Sequence, residues 1–414
     1  MAKSEAVLVI GAGVAGIKAS LELVEAGFKV YLCERKPSIG GTLIQMDKWF
    51  PDNHCGMCQI LPILNRDDSS QFCLRRGLIH PNIEILLNTE IKELQDKAGD
   101  FRVTLGCKSS GVNPQLCIGC GLCAEICPVE VESQFEQGLA QRKAIDASNP
   151  YATPRLYAID WQKCTKCGAC VDKCPTGAIQ LVEEENIRQL QVGAIILSTG
   201  FEEFDPHHAT QYGYKRYPNV ITSIELERML SPGGPTEGKL CRPSDGKTPK
   251  SVAFLQCIGS RDRQNGYCSS ACCMYAIKEA GLIKQAEPQI DVHIFFMDLR
   301  AFGKGYHRYY ERVGGELGVK FTRCRVPVVK EDPPARNLVL TVVADGGTLV
   351  KRQFELVVLS VGQTPAPEFA KLCQVLGVET NKWGFCQTLP FSCLLYTSDA
   401  ADELDGVDLG GRRI

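Results

Sequence analysis

Apolar runs, tight turns and amphipathic stretches follow one another at the start of the chain. The segment Ala6 to Glu34, "AVLVIGAGVAGIKASLELVEAGFKVYLCE", contains an apolar run, a glycine turn, apolar positions at helical spacing and a second apolar run that ends in an acid. This order predicts a strand, an amphipathic helix and a second strand, which together form one βαβ unit. We therefore predict an α/β fold that begins with a Rossmann-type domain.

Three further apolar runs predict buried strands. "VGAIILSTGFEEFDP" starts at Val192, "SVAFLQ" starts at Ser251 and "FELVVLSVGQTPAP" starts at Phe354. The second run follows the polar, Gly- and Pro-rich stretch "SPGGPTEGKLCRPSDGKTPK", which is typical of a domain entry. We predict a second Rossmann-like domain that begins there, although the first and third runs alone also fit unrelated core strands.

The first glycine turn carries a dinucleotide-binding motif. Gly11 permits the tight turn, Gly13 lets the backbone approach a pyrophosphate at the helix N terminus, and Gly16 allows the helix to pack closely on the strand. Glu34, at the end of the second strand, can accept a hydrogen bond from a ribose hydroxyl. Because both strands and the acid are in register with the glycines, we predict a dinucleotide site here.

Composition and charge limit the classes of partner and cofactor that we expect. The 414 residues carry a formal net charge of -2, so we expect neither nucleic acid nor a membrane surface as a partner. No apolar run approaches the ~18 residues that span a bilayer, and no signal peptide precedes the first strand, so we expect a cytoplasmic protein without membrane insertion. The 22 cysteines then indicate metal ligation, chiefly iron–sulfur clusters, rather than an extracellular disulfide scaffold.

Eight cysteines form two runs of the pattern C-x2-C-x2-C-x3-C-P, "CIGCGLCAEICP" and "CTKCGACVDKCP". In such runs three thiolates hold one cubane and the fourth cysteine reaches the other cluster. A zinc ribbon needs neither the third cysteine nor the proline. We predict an inserted α+β ferredoxin domain with two [4Fe–4S] clusters, one held by Cys117, Cys120, Cys123 and Cys174 and the other by Cys164, Cys167, Cys170 and Cys127.

A third cysteine group surrounds the strand that begins at Ser251. Cys257 follows the strand, and Cys268, Cys272 and Cys273 open a helical stretch in which residues 268 and 272 share a face. A helix N terminus favours the negative charge of a thiolate-ligated cluster. We predict a third iron–sulfur cluster at these four residues; the alternative is that they pack as small hydrophobic side chains, as we expect of Cys33 and Cys324.

Parts of the chain resemble the disulfide-reductase flavoproteins. The paired Gly40 and Gly41 in "ERKPSIGGTLIQ" are similar to the flavin-side loop of that family, which favours FAD over NAD at the first site. The strands that lead to Gly200 and to "SVGQTPAP" are similar to the returns that flank its pyridine-nucleotide domain. The strand Ser251 to Gln256 would there be followed by a second glycine loop, but here only Gly259 is in place and cysteines take the remaining positions.

Taken in order, five motifs resemble a more specific family. These are "GAGVAGIKASLELVEAGFKVYLCERKPSIGG", "CGMC", the doubled cysteine run, "QCIGSRDRQNGYCSSACCMYAIKEA" and "MDLRAFGKGYHRYYERV". Up to about Ser392 they are similar to the A-type iron–sulfur flavoprotein subunit of CoB–CoM heterodisulfide reductase. The resemblance implies a thioredoxin-reductase-like architecture with an inserted ferredoxin domain. It also implies an FAD that relays or bifurcates electrons between [4Fe–4S] clusters and partner subunits.

The resemblance assigns roles to particular residues. Gly11, Gly13, Gly16 and Glu34 would bind FAD, the eight insert cysteines two clusters, and the four later cysteines a third. Lys304 stands at the family's lysine position near the flavin, where a cation stabilises an anionic reduced flavin; a solvent-facing loop lysine is the alternative. Cys55 and Cys58 are candidate ligands of a further cluster, with Cys73 and Cys107 as candidate companions and a preceding domain or a partner subunit as the source of the remaining ligands.

We expect six segments along the chain. They are an FAD-binding part (1–106), the ferredoxin insert (107–185), a return and linker (186–250), a second Rossmann-like domain with cysteines (251–353), a second return to the FAD domain (354–392), and a tail (393–414). The tail, Cys393 to Ile414, lacks apolar periodicity and resembles a translated sequencing-library adapter. We expect that it is not part of the natural protein.

The function predicted from these motifs is electron transfer in an oxidoreductase, because a flavin takes electrons in pairs and clusters take them singly. The expected partners are other heterodisulfide-reductase-type subunits and a ferredoxin, hydrogenase or dehydrogenase electron donor. Three alternatives stay open: an NAD(P)H-dependent enzyme of the glutamate-synthase small-subunit type, the FAD subunit of a quinone-interacting membrane-bound oxidoreductase, and a wiring subunit whose FAD is structural.

Overall fold

The structure, a computed structural model, describes residues 5–46, 48, 80–97, 99–147, 156–343 and 347–388. The predictions for Cys55, Cys58, Cys73 and the tail from Cys393 lie outside these residues. The described strands are β1 Ala6–Ile10, β2 Lys29–Cys33, β3 Ile83–Leu86, β4 Thr89–Lys97, β5 Asp100–Lys108, β6 Glu130–Glu132, β7 Gln141–Lys143, β8 Ile145–Ala147, β9 Tyr157–Ile159, β10 Glu185–Val192, β11 Ala194–Leu197, β12 Glu202–Glu203, β13 Val220–Thr222, β14 Ser251–Ile258, β15 Asp291–Phe296, β16 Lys320–Arg323, β17 Val329–Asp332, β18 Asn337–Val343, β19 Leu349–Phe354, β20 Leu356–Val361 and β21 Gln363–Thr364.

Seven α-helices accompany these strands in the described part of the chain. They are α1 Val14–Glu25, α2 Leu122–Ile126, α3 Ala169–Lys173, α4 Ser223–Leu230, α5 Cys272–Ala286, α6 Tyr306–Gly315 and α7 Phe369–Leu376. The chain divides into two compact units, and the second is formed mainly by residues Phe201–Thr364.

The first unit is built on a four-stranded parallel sheet in the order β11-β1-β2-β3. Alternate residues of β1 face opposite sides, as strand geometry requires. Val7 and Val9 pack with Ile17 of α1. Leu8 and Ile10 face the other side, where the antiparallel sheet β10-β5-β4 and α7 cover them. The predicted βαβ unit is therefore present, with both faces of its sheet buried.

The ferredoxin insert leaves the first unit after β5 and returns at β10. These two strands are antiparallel neighbours, and Lys108 pairs with Glu185 in register. Within the insert, α2 and α3 lie close together, and the short hairpins β6-β7 and β8-β9 complete a small α+β domain. Its core is made of apolar side chains such as Val112 and Ile179, which also form an isolated bridge.

The second unit contains a five-stranded parallel sheet in the order β13-β20-β14-β15-β16. A second antiparallel sheet, β17-β18-β19, packs on it through residues such as Val329 and Leu340. The helix α4 begins with a capping box, in which Thr222 and Glu225 bond each other's backbone N–H groups. A Rossmann-like second domain is therefore present, as expected.

The boundaries of this unit differ from the expected segments 251–353 and 354–392. β13 and β20 both lie in the same sheet as β14, with β20 directly beside it. The second unit therefore starts near Phe201, and the chain returns to the first unit at Pro365. The observed boundaries differ from the expected ones because strands that are distant in sequence pair with each other in this sheet. Within the part of the chain that the structure describes, no helix has the length and apolarity to cross a membrane.

Candidate cofactor sites

The glycine turn after β1 leaves room for a phosphate group at the start of α1. Gly13 is the N-cap residue and gives the helix no side-chain hydrogen bond, so the first N–H groups of α1 keep free hydrogen-bonding capacity. Gly11 has a φ of +102°, a conformation that other residues rarely adopt. Free N–H groups at a helix N terminus are the feature that binds anions and phosphates.

Gly11 and Gly16 are also held by contacts that leave no space for a side chain. A Cβ atom on Gly16 would lie 1.9 Å from the carbonyl oxygen of Gly11, and one on Gly11 would lie 2.3 Å from the oxygen of Ser198. The hydroxyl of Ser198 donates to the carbonyl oxygens of Ile10 and Gly11, both at 3.0 Å. Ser198 was not among the residues predicted from the sequence; its signal is its place after the apolar run that leads to Gly200.

The second glycine pair lies against the first turn. The N–H of Gly40 donates to the carbonyl oxygen of Ala12 at 2.7 Å. A Cβ atom on Gly41 would lie 3.0 Å from the Cα of Gly13. The two loops therefore form one glycine-lined cradle in the first unit. Gly200, with a φ of +68°, follows β11, the strand beside β1.

Glu34 stands at the end of β2 with its carboxylate turned toward the first glycine turn. Oε2 accepts a hydrogen bond from the N–H of Ala12 at 2.9 Å, and Oε1 accepts one from the N–H of Lys36 at 2.9 Å. The side chain is 9% exposed, and a carboxylate has capacity for further donors. The cradle and Glu34 thus fit the pyrophosphate and ribose of a dinucleotide.

The eight insert cysteines line two cavities. One cavity is lined by three cysteines of the first run and one of the second: Cys117, Cys120, Cys123 and Cys174. The other has the converse set: Cys164, Cys167, Cys170 and Cys127. The structure therefore brings together the two crossed sets that the spacing predicts, and both cavities are otherwise mainly apolar.

The grouping of these thiols suits iron–sulfur clusters. Each cavity is lined by four cysteines, three from one run and one from the other, which is the ligand pattern of the C-x2-C-x2-C-x3-C-P runs of two-cluster ferredoxins. Burial raises the pKa of Cys123 to about 12 and also raises the pKa of Cys170, so metal must displace protons from these thiols.

Cys174 has a different environment. Desolvation raises the pKa of its thiol, but hydrogen bonds from Thr176 and from the following backbone outweigh that effect and lower the pKa. The N–H of Ala178 donates to Cys174 Sγ at 3.3 Å. The hydroxyl of Thr176 lies 3.7 Å from the same sulfur. A thiolate at Cys174 is therefore stabilised by donors already in place.

Cys257 lies in a bulge at the end of β14. Its φ is +63°, which is unusual for a residue with a side chain, and the β14–β20 register shifts between Leu255 and Ile258. Bulges often re-aim a side chain beside a functional site. Gly259 follows with a φ of +70°, and a Cβ atom there would lie 2.1 Å from the ring of Phe204.

The other three cysteines of this group lie around the start of α5. Cys272 and Cys273 are the first two residues of α5 and are buried, as is Cys257, whereas Cys268 is partly exposed. Burial raises the pKa of Cys273 to about 11, and the neighbouring thiols of Cys257 and Cys268 contribute to this increase. The structure thus brings the four thiols within electrostatic range of one another.

Arginines lie near two of these thiols, those of Cys257 and Cys273. Burial raises the pKa of Cys257, while Arg261 lowers it by charge and hydrogen bond and Arg325 lowers it by charge. The backbone N–H of Arg300 donates to Cys273. Arg261 is itself held by an ion pair with Asp298. The charges of Arg261 and Arg325 and the N–H of Arg300 favour thiolates, and the sequence pattern did not reveal these contacts because they come from separate segments.

This cysteine group lies where a parallel sheet usually binds a nucleotide. β14 is central in its sheet, with β20 on one side and β15 on the other. Ligands of such sheets bind outside the carboxyl ends of the strands, where the strand order reverses. Cys257 stands at that end of β14 in place of a glycine turn.

Two remaining predictions fall at different places. Lys304 is exposed in the second unit, in the loop that precedes α6. Its catalytic role stays a prediction. Cys107 is in β5 and packs against the core of the first unit with Cys33. Burial raises the pKa of Cys33 well above its ordinary value, in keeping with a core thiol.

The fold and these sites define an oxidoreductase chain that carries FAD and [4Fe–4S] clusters. A family model described as "FAD binding domain" matches residues 6–45, which include the whole glycine cradle. A model described as "4Fe-4S dicluster domain" matches residues 116–179, which include all eight insert cysteines.

The chain is a homologue of the A-type iron–sulfur subunit of CoB–CoM heterodisulfide reductase. It is 46% identical over 384 residues to the second of these A-type subunits in Methanopyrus kandleri, with 91% of this chain and 57% of the relative covered. It is 44% identical over 385 residues to the A-type subunit of the "H(2)/formate:CoB-CoM heterodisulfide,ferredoxin reductase" of Methanococcus maripaludis, at 92% and 57% coverage. The chain thus spans somewhat more than half the length of these relatives.

Among solved structures, thioredoxin reductase of Lactococcus lactis is similar to 94% of this chain. The match covers 86% of that protein, with a TM-score of 0.46 and 13% sequence identity. The strand orders of the two units carry the fold assignment on their own.

Proposed function

We propose that this chain is the FAD-carrying iron–sulfur electron-transfer subunit of a heterodisulfide-reductase-type complex. The observation that carries the proposal is the presence, in one unit, of a glycine cradle and two cavities lined by crossed sets of cysteines. FAD exchanges electrons in pairs and iron–sulfur clusters exchange them singly, so a chain that holds both can convert one mode into the other. The flavin either relays or bifurcates electrons in this role.

The residues of the cradle bind and orient the cofactor. The N–H groups at the start of α1 bind the pyrophosphate, and the absence of side chains on Gly11, Gly13, Gly40 and Gly41 allows the close approach. The carboxylate of Glu34 accepts from a ribose hydroxyl while it continues to accept from Ala12. The thiolates of the insert would hold the two clusters against the apolar core of the insert, with Cys120 and Cys167 on the exposed side.

We assign a third cluster to Cys257, Cys268, Cys272 and Cys273. Three of these thiols are buried, and arginines compensate their charge. The group stands at the strand end where the second Rossmann domain of an NAD(P)H-dependent enzyme has its glycine turn. This argues against the glutamate-synthase small-subunit type of activity, because the same space cannot serve both cofactors.

A double variant tests the third cluster. Cys272→Ala, Cys273→Ala should lower the iron content by about four atoms per chain relative to the parent. Cys324→Ala is the matched control, because Cys324 is a buried thiol of the same unit that packs in the hydrophobic core. It should leave iron unchanged. Equal iron content in the double variant and the parent would mean that these cysteines pack as hydrophobic side chains and do not bind a cluster.

For Lys304 we propose a cation that stabilises the anionic reduced flavin. The proposal rests on the resemblance of "AFGKGY" to the family's lysine position, while the exposure of Lys304 fits the alternative of a solvent-facing loop lysine. Lys304→Gln should lower the flavin midpoint potential, whereas Lys304→Arg should retain it. Identical potentials in the parent and both variants would assign Lys304 to the solvated surface.

We propose that the partners are other heterodisulfide-reductase-type subunits and a ferredoxin, hydrogenase or dehydrogenase donor. Both relatives are named as subunits, and the one from Methanococcus maripaludis is named for hydrogen, formate and ferredoxin. A quinone-linked membrane partner is the second candidate. We also propose a cytoplasmic location, because 22 cysteines arranged largely in cluster-type runs fit a reducing compartment.

The function is tested with the anaerobically purified protein and its co-purifying partners. After excess dithionite is removed, a disulfide added as the electron acceptor for the partner subunits should reoxidise the clusters while it is reduced to thiols, and flavin removal should abolish that coupling. Rapid reduction of the FAD by NADH or NADPH alone would instead support the NAD(P)H-dependent enzyme. Unchanged coupling after flavin removal would support a wiring subunit with a structural FAD.

A further inference from the structure

The two halves of the ferredoxin insert are built alike but differ after the fourth cysteine. In each half a glycine with φ near +87° precedes a short helix, Gly121 before α2 and Gly168 before α3. Each helix ends at a Cys-Pro pair. The residue after that pair is Thr176 in the second half and Val129 in the first. The chain therefore provides an internal comparison of two cluster environments.

The two fourth cysteines receive different hydrogen bonds. At Cys174, the N–H of Ala178 donates to Sγ at 3.3 Å and the hydroxyl of Thr176 lies 3.7 Å away. At Cys127, Sγ lies 3.8 Å from the carbonyl oxygen of Val129, which can only accept. Val129 has no hydroxyl to offer.

In the first half, the backbone N–H that corresponds to that of Ala178 takes part in a hairpin. The residue four positions after Cys127 is Val131, which lies in the β6–β7 hairpin opposite Arg142. The pairs two residues away on either side are hydrogen-bonded, since Ala144 donates to Val129 and Ser133 donates to Ala140. Every second pair of an antiparallel ladder is hydrogen-bonded, so the pair Val131–Arg142 between them is bonded as well. The N–H of Val131 is therefore directed to Arg142 and not to Cys127. The second half has no hairpin at Ala178, which leaves its N–H for the sulfur.

Donors to a cluster sulfur favour the reduced, more negative state, and hydrogen bonding to the sulfurs is one of the protein's means of setting the potential. In the second cavity the N–H of Lys166 reaches Cys164 Sγ at 3.3 Å, and the thiol of Cys170 accepts from a backbone N–H. A side-chain hydroxyl beside the fourth cysteine is found at Cys174, from Thr176, and not at Cys127. We propose that Thr176 raises the reduction potential of the cluster held by Cys117, Cys120, Cys123 and Cys174 relative to that of its neighbour.

This inference rests on the proposed function and deepens it. The step concerned is the transfer of one electron between the two clusters: one cluster is oxidised, the other is reduced, and no bond or proton changes. Thr176 acts through Cys174 and is a positioning residue. The hydroxyl of Thr176 favours the electron on the cluster that Cys174 binds. Val129 has no hydroxyl and gives the other cluster no such stabilisation.

The test is an EPR-monitored redox titration of the anaerobically purified protein with its full iron content. Thr176→Val, which keeps the side-chain shape, should lower one cluster potential by an amount that corresponds to a roughly tenfold change in the reduction equilibrium, or about 59 mV for one electron. Thr176→Ser keeps the hydroxyl and should retain the parent potential. Val129→Thr should raise the potential of the other cluster.

Iron analysis separates the two levels of failure. A parent chain without two clusters in the insert would overturn the proposed function itself. The role of Thr176 would be overturned if Thr176→Val contains two clusters with the same potentials as in the parent. It would also be overturned if Thr176→Ser shifts a cluster potential as much as Thr176→Val does. If Thr176→Val loses iron, Val129→Thr decides: an upward shift supports the inference, and no shift refutes it.

Discussion

Glu279 is expected to make the stability of the second unit depend on pH. It lies on α5 with only 1% of its surface exposed. Its carboxyl group lies against the carboxylate of Glu227 and the hydroxyl of Ser223, both on α4. Both oxygens of Glu279 are closed off from solvent. We predict that Glu279→Gln abolishes a decline in stability with rising pH.

The surrounding charges decide the protonation state. Glu227 forms a buried ion pair with Lys278, whose amine also donates to the carbonyl oxygen of Lys48. One cation thus faces two carboxyl groups. From α6, Tyr309 interacts with Glu227 and with Arg312.

Tyr275, one turn before Glu279 on α5, completes the surroundings and interacts with Glu203 of β12. Burial raises the pKa of Glu279 well above its ordinary value, and the charge of Glu227 adds to the effect while Lys278 opposes it. Folded Glu279 therefore holds a proton that the unfolded chain releases.

The sign and size follow from linkage. Above the unfolded pKa of about 4.3, the folded state binds one more proton than the unfolded state, so stability falls as pH rises until the folded pKa is passed. The slope contributed by one group is at most about 1.4 kcal/mol per pH unit. A glutamine amide does not titrate, so the free energy of unfolding of the variant should rise relative to that of the parent by up to this amount for each pH unit.

The assay is urea unfolding of the full-length protein in anaerobic buffers from about pH 6 to about pH 8, with the parent and variant compared at each pH. Glu237→Gln makes the same chemical change at an exposed position of the same unit and should run parallel to the parent. Parallel curves for Glu279→Gln as well would mean that Glu279 is ionised in the fold, and the reasoning would be refuted.

Three further variants have expected outcomes. Gly16→Ala should remove bound FAD, because its Cβ would lie 1.9 Å from the oxygen of Gly11; full flavin content by absorbance would contradict the cradle. Burial lowers the pKa of His293 to about 4, so the parent should lose stability as pH falls from about 6.5 toward that value, and His293→Gln should not; matched acid unfolding curves would count against this. Thr222→Ala should cost about 1 kcal/mol by removing the capping box, and Thr222→Ser should restore most of it in urea unfolding.

The cofactor-binding parts could be predicted from the sequence because their chemistry is local. The spacing of one cysteine run fixes three ligands, and the order strand, glycine turn, helix fixes the cradle. The crossed arrangement of Cys127 and Cys174 was also predictable, since it follows from the same spacing rule. The cavities in the structure hold those sets.

Features that depend on contacts between distant segments could not be predicted. The strand run that starts at Phe354 was expected to return to the first unit, but β20 pairs with β14, about a hundred residues earlier in the chain. Glu225 and Glu227 of α4 are buried, and their ion-pair partners Lys215 and Lys278 come from other segments, which no local sequence pattern reveals. The difference between Thr176 and Val129 gains meaning only once the hairpin at Val131 is known.

The attachment of the ferredoxin insert has a consequence for how the protein is assembled. The insert leaves at Lys108 and returns at Glu185, which are direct neighbours on β5 and β10, and the N–H of Ser109 donates to Glu184 at 2.8 Å. Its two ends are thus one strand spacing apart, about 5 Å. β5 and β10 pair at this junction within the antiparallel sheet β10-β5-β4, so we expect that the first unit can bind flavin before or after the insert acquires its clusters. A tight turn between β5 and β10 could replace the whole module.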